Sequence, residues 1–241
     1  MAPLVAGIAV LNTVGLFVAA FAERVSPRSR ARPLRRRVTQ TRERASEFLR
    51  FLRAWLHAPL RIASVAPSGR ALARLMTADI SAATGPVIEL GPGTGPFTRA
   101  LLDKGVREAD LALVEFEESF ARELSRTFPE AHTIGIDAAA LGTIELFGGR
   151  PAGAVVSGLP LLAMPERQVE AILRAAFGKL EPDGVFHQFT YGPTCPVPTR
   201  VLDRLGLRAE RVGRTLANLP PATVYRLRRT ARSFATDRSP L

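Results

Sequence analysis

The sequence predicts an α/β fold, a seven-stranded, mostly parallel sheet with helices on both faces. Three observations carry the prediction. Short apolar runs of strand length alternate with longer amphipathic stretches from residue 86 onward. Three glycines, Gly91, Gly93 and Gly95, separate the first run from the first of those stretches. The next two runs end in acids, Glu115 and Asp137. Alternation of this kind marks βαβ units, and a parallel sheet follows from them.

The elements fall in order. Pro86 to Leu90 reads as the first strand, and a helix over 96–104 opens on Pro96, a residue suited to a first helical turn. The second strand is Asp110 to Val114, followed by a helix over 117–128, and the third is His132 to Ile136. Gly153 to Ser157 is the fourth strand and 165–179 the helix after it. Glu181-Pro-Asp-Gly184 is a turn into the fifth strand, Gly184 to Tyr191. A helix over 197–205 leads to the sixth strand, Leu207 to Val212, and Thr223 to Leu227 is the seventh.

Composition bounds the rest. At 241 residues with 46% hydrophobic content, the chain holds one full core rather than two. The single cysteine, Cys195, has no internal disulfide partner, which favours a reducing compartment. Three scattered histidines beside that cysteine make no zinc site, so no metal is expected. Of the net charge of +11, +8 lies in residues 1–60. The basic character therefore belongs to an N-terminal arm, which attracts polyanions, either nucleic acid or an anionic membrane surface.

That arm has three parts. Residues 1–23 are apolar save for Asn12, Thr13 and the closing Glu23, and roughly 20 apolar residues suffice to cross a bilayer. Met1-Ala2-Pro3 lacks the basic start of a signal peptide. A single anchor, an interfacial segment and an upstream extension all remain open. Arginines from Arg24 onward would hold the rest of the chain on the cytoplasmic side. Residues 24–44 read as an Arg-rich linker. Over 45–60, Phe48, Phe51, Leu52, Trp55 and Leu56 fall on one helical face, flanked by Arg50 and Arg53. Such a face packs on a core or lies in a membrane interface; both readings stand. The remainder, 61–241, is the α/β domain.

Within it, the order strand, glycines, helix points to a nucleotide-type ligand approached closely by backbone. The spacing is Gly-x-Gly-x-Gly, not the Gly-x-Gly-x-x-Gly of dinucleotide sites. Glu89, just before the loop, is a poor neighbour for pyrophosphate but suits a cationic methionine moiety. Glu115 would grip ribose hydroxyls, or be a plain surface acid. Asp137 would take the adenine amino group, or cap a helix. Together these resemble the Rossmann-like class I methyltransferases, whose cofactor is S-adenosylmethionine. The resemblance implies a cofactor set of Ser64, Ser68, Glu89, Gly91, Gly93, Thr94, Gly95, Glu115, Phe116, Asp137, Ala138 and Ser157.

After the fourth strand the chain reads Val155-Val-Ser-Gly-Leu-Pro-Leu-Leu162. Ribosomal RNA adenine dimethylases are similar there, but carry an aromatic on which the flipped base stacks. Its absence here counts against RNA. With Trp55-Leu-His-Ala-Pro-Leu-Arg-Ile-Ala-Ser-Val-Ala-Pro-Ser68, Gln188-Phe-Thr-Tyr-Gly-Pro193 and Asn218-Leu-Pro-Pro-Ala-Thr-Val-Tyr225, the chain resembles bacterial phospholipid N-methyltransferases over about residues 48–229. That resemblance implies stepwise N-methylation of phosphatidylethanolamine, with phospholipid substrate and anionic membrane surface as partners. Another amine lipid, such as ornithine lipid, is a variant of the same reading, and RNA methylation is the rival one. It implies that Ser157 and the Gly158 and Leu159 carbonyls hold the amine, and that Tyr191 faces the methylated cation. His187 is a candidate proton relay or a core histidine. Phe48, Phe51, Leu52, Trp55, Arg50 and Arg53 would dock on the membrane, and Arg61 or Arg70 would hold lipid phosphate.

Overall fold

A computed structural model describes residues 67–230 other than 193, 219 and 220. The apolar segment, the linker, the amphipathic helix, Ser64 and Arg61 lie outside the described residues. The first described helix, α1 (Pro67–Met76), places Leu72, Ala73 and Met76 in the core. Then β1 (Val87–Leu90), α2 (Pro96–Asp103), β2 (Leu111–Val114), α3 (Glu118–Thr127), β3 (His132–Ile134) and β4 (Ala152–Ser157) alternate. α4 (Glu166–Phe177), β5 (Leu180–Thr190), α5 (Thr199–Arg204), β6 (Leu207–Thr215) and β7 (Ala222–Arg229) complete the chain.

The seven strands form one sheet in the order β3-β2-β1-β4-β5-β7-β6. β1 to β5 are parallel and β7 runs antiparallel to both β5 and β6. This is the predicted Rossmann-like class I fold. Strands β1 and β2 are buried at every position, because helices cover both faces of a parallel sheet. Two core clusters follow. One joins Ile88, Leu90, Val155 and Phe186 to the apolar stripe of α4, where Val169, Ile172, Leu173, Ala176 and Phe177 recur at helical spacing. The other joins Val87, Leu113, Val156 and Phe189 to α1, α2 and α3.

Boundaries shift where pairing outruns pattern. β5 begins at Leu180, not Gly184, because Leu180 pairs with Ala152 ahead of the Glu181-Pro-Asp turn. β6 runs on to Thr215 and β7 to Arg229, since each has its partner to that point. Their arginines fall on both faces of an edge hairpin and hid its length from an apolar pattern.

Candidate functional site

The order of strands reverses between β1 and β4, and ligands of such sheets bind outside the carboxyl ends there. Two loops meet at that point. The loop after β1 has Gly91, Gly93 and Gly95 at φ of +67°, +57° and +78°, left-handed conformations that other residues rarely adopt. The Gly91 amide still donates to the Val114 carbonyl at 2.9 Å, which ties the loop to β2. The loop after β4 lies directly on it. A Cβ on Gly91 would sit 2.8 Å from Leu159 Cδ2, and one on Gly158 2.6 Å from the Gly91 carbonyl. Glycine is therefore needed on both sides of this contact.

Acidic groups surround the glycine loop. Glu89 is wholly buried; its Oε2 accepts from Thr98 Oγ1 at 2.7 Å, while Oε1 has no hydrogen-bond partner. Burial is the main cause that pushes its pKa up to about 8, with a further push from Glu115. Glu115 is no surface acid: it is 4% exposed, its Oε2 accepts from the Gly93 amide at 3.2 Å and its Oε1 from that of Glu117 at 3.0 Å. Phe116, the next residue, is 67% exposed. Asp137 is exposed and caps the short 3-10 helix Ala138–Thr143 through the Ala139 amide, so its capping role is the one the structure displays. Ala138 packs into the core, and the Thr94 carbonyl accepts from Arg99 at 2.7 Å.

On the β4 side, Ser157 is fully buried and its hydroxyl accepts from the Leu159 amide at 3.3 Å. Gln188, its register partner on β5, is equally buried. Gln188 Nε2 donates to the carbonyls of Leu159 (2.9 Å) and Phe189 (2.8 Å), and its Oε1 has no partner. This corrects the expectation for Leu159. Its carbonyl accepts from both Gln188 and the Leu161 amide, so both lone pairs are used and the Leu159 carbonyl is not free to hold an amine. The sequence reading quoted Gln188 in a motif but gave it no role. A glutamine in a strand otherwise buried from Gly184 onward was the signal available.

Tyr191 follows β5, edge-on to Phe189 with ring centroids 5.3 Å apart. Burial pushes its pKa up to about 12, against a hydrogen bond with Asn218, so it is a neutral phenol. His187 is a core histidine. It is fully buried, and burial drives its pKa down to about 4 despite Asp79 at 3.6 Å. Side chains alternate along a strand, so His187 points to the face opposite Gln188 and Ser157 and is no relay for a proton held there. Arg70 is exposed on α1, and Ser68 lies in that helix's first turn.

No protein-family profile matches the chain. An ornithine lipid N-methyltransferase of Singulisphaera acidiphila is 32% identical over 195 residues, 78% of this chain and 99% of that protein. The chain belongs to that enzyme's family. Among solved structures, a Burkholderia thailandensis 1,6-didemethyltoxoflavin-N1-methyltransferase is similar at a TM-score of 0.55 and 16% identity, over 85% of this chain and 94% of its own. A TehB-like methyltransferase of Corynebacterium glutamicum gives 0.53 and 16%, over 78% and 99%. These share the fold. The chain is an S-adenosylmethionine-dependent N-methyltransferase.

The site fits that cofactor. A buried carboxylate oxygen without a partner, three left-handed glycines and a buried acid at the end of β2 are what a cationic amino acid joined to a ribose requires. Among the described residues no group of three His, Cys, Asp or Glu side chains is placed to hold a metal. No helix among them is long and apolar enough to cross a membrane.

Proposed function

We propose that this enzyme transfers methyl groups to the primary amine of a membrane aminolipid, with an ornithine-type lipid as first acceptor. The relative's end-to-end match carries the reading, because it spans both the glycine loop and the β4 loop. The motifs shared with phospholipid N-methyltransferases make phosphatidylethanolamine the acceptor to test beside it. The missing stacking aromatic after Pro160 speaks against a nucleobase.

The cofactor supplies a methyl group made electrophilic by its sulfonium. Glu89 Oε1 and the Gly91–Gly95 loop hold its amino-acid end, Glu115 its ribose and Phe116 its adenine; Ser64, Ser68 and Asp137 belong to the same proposed set. On the other side, Ser157 Oγ, the Gly158 carbonyl and Gln188 Oε1 converge as acceptors for the N–H bonds of the amine. Holding those hydrogens turns the nitrogen lone pair toward the methyl carbon, and such positioning is a major source of rate in displacement reactions. The amine must first lose a proton. Neither His187 nor Tyr191 takes it, the first for its place and the second for its high pKa. The proton therefore leaves to solvent, and the rate rises with pH through the amine's own ionisation. Tyr191 lies against the methylated cation. The helix expected over 45–60, with Phe48, Phe51, Leu52, Trp55, Arg50 and Arg53 and with Arg61 beyond it, would dock the enzyme on anionic lipid at the cytoplasmic face.

Transfer of a labelled methyl group from S-adenosylmethionine tests this. Vesicles of phosphatidylglycerol carrying ornithine lipid or phosphatidylethanolamine are compared with ribosomal RNA. Label in ornithine lipid supports the proposal, and label in phosphatidylethanolamine alone moves the acceptor within it. Label only in RNA overturns it.

A further inference from the structure

Large apolar side chains seldom remain exposed without a reason when they share one end of a molecule. Among the described residues, three do so: Phe116 (67%), Leu162 (57%) and Leu216 (74%). All three lie at the carboxyl end of the parallel strands. Phe116 follows β2, and Leu162 lies in the 3-10 turn Leu161–Ala163 after β4. Leu216 tips the β6–β7 turn, which the antiparallel course of β7 brings to the same end. Phe116 is assigned to the adenine in the proposed cofactor set. Leu162 and Leu216 stand on the acceptor half of the sheet and are assigned to no ligand.

Both are presented by anchored backbone. Leu161, beside Leu162, is buried, and Leu162 Cδ2 leans over Gly192, where a Cβ would sit 3.2 Å away. Thr215 and Asn218, on either side of Leu216, are buried, and Asn218 hydrogen-bonds Tyr191. Below Leu216 on edge strand β6, Arg211 and Arg214 are exposed and share one face of the sheet. Neither is committed to an ion pair with another described residue. An apolar tip above a pair of arginines is the arrangement that enters an anionic lipid interface.

We infer that Leu162 and Leu216 form a rim that dips into the bilayer beside the mouth of the acceptor site, with Arg211 and Arg214 on the headgroups. The inference rests on the aminolipid reading. An acyl-chain lipid brings its amine to Ser157 without leaving the bilayer only if this end of the sheet faces the membrane. The rim is separate from the amphipathic helix expected over 45–60: that helix would attach the enzyme, whereas the rim orients it.

The test uses the full chain and its Leu162→Glu/Leu216→Glu variant. Transfer is measured to ornithine lipid in phosphatidylglycerol vesicles and to a short-chain, water-soluble analogue of the same lipid. The variant is expected to lose about 30-fold in kcat/KM on vesicles, equivalent to about 2 kcal/mol. It should lose less than twofold on the soluble analogue and bind S-adenosylmethionine unchanged. Equal rates on vesicles, or equal losses on both acceptors, overturn the inference. A Trp55→Phe/Leu216→Trp chain reads insertion without activity. Quenching by brominated acyl chains is expected; emission unaffected by them overturns the inference, as does a concentration-dependent dimer that protects Trp at 216 in its place. If the wild type methylates neither ornithine lipid nor phosphatidylethanolamine, the aminolipid reading fails, and the quenching still decides the rim.

Discussion

Glu89→Gln separates what Glu89 does for the fold from what it does for the ligand. Its carboxyl rises from 4.5 to about 8 chiefly through burial. The folded protein therefore binds a proton there that the unfolded chain has already released. Glu89's contribution to stability is greatest below about pH 4.5, falls as pH rises toward 8, and is flat beyond. Each pH unit in that window costs about 1.4 kcal/mol. Glutamine has no such slope, although burying its amide adds a constant penalty. The observable is the change in the gap between wild type and variant, not its sign at one pH. Between pH 5 and pH 8 that change should be on the order of 3–4 kcal/mol. For a domain of this size it corresponds to very roughly 10 °C in Tm. Melting curves of ligand-free protein at half-unit steps of pH measure it. The ligand's ammonium draws the carboxyl back to its ionised form, so binding near pH 7 should release a proton. Calorimetry in buffers of different ionisation enthalpy counts that proton, and Glu89→Gln should abolish its release and weaken binding. A gap constant from pH 5 to pH 8 would refute the reasoning, because it would mean that Glu89 is ionised in the folded protein.

Three further outcomes follow from the same geometry. Gly95→Ala places a Cβ 2.7 Å from Phe128 Cε2 at a φ of +78°; the left-handed conformation alone costs about 1–2 kcal/mol. A Tm lower by several degrees and cofactor affinity down at least tenfold are expected, and normal affinity would show that this loop is not the cradle. Gln188→Leu removes one hydrogen bond from the Phe189 carbonyl and one from the Leu159 carbonyl, which keeps the Leu161 amide, at about 0.5–1.5 kcal/mol per bond. Transfer should slow more than 100-fold while equilibrium dialysis finds cofactor affinity within about threefold, whereas parallel losses would make Gln188 a purely structural residue. His187→Phe should leave the pH–rate profile unshifted, since the ring is neutral and faces away from the amine; a lost limb in that profile would restore it as a relay.

Much of this fold was legible because a parallel sheet buried on both faces leaves continuous apolar runs. Val87–Leu90 and Leu111–Val114 are fully buried and were read almost to the residue. The β6–β7 hairpin was read short because β6 is the edge strand, where exposed Arg208, Arg211 and Arg214 break the apolar pattern without breaking the pairing. The site divides along the same line. Gly91, Gly93, Gly95, Glu89 and Glu115 were legible because glycines and acids at strand ends are local signals, and the structure gathers them at the reversal between β1 and β4. The acceptor half depends on which face a side chain takes. His187 and Gln188 are neighbours in sequence and both polar, and only the register with Val156 and Ser157 puts them on opposite faces of the sheet, Gln188 on that of Ser157. The Leu159 carbonyl was misjudged for the same reason, because its second hydrogen bond comes from a residue 29 positions away. Gln188 thereby acquires two tasks at once. Its Nε2 fixes the loop that carries Ser157 and Gly158, and its Oε1 is buried without a partner. A substitution that keeps Oε1 but drops Nε2, Gln188→Glu, separates them: it should misplace the loop yet add a charge for the ammonium, lowering kcat while tightening KM.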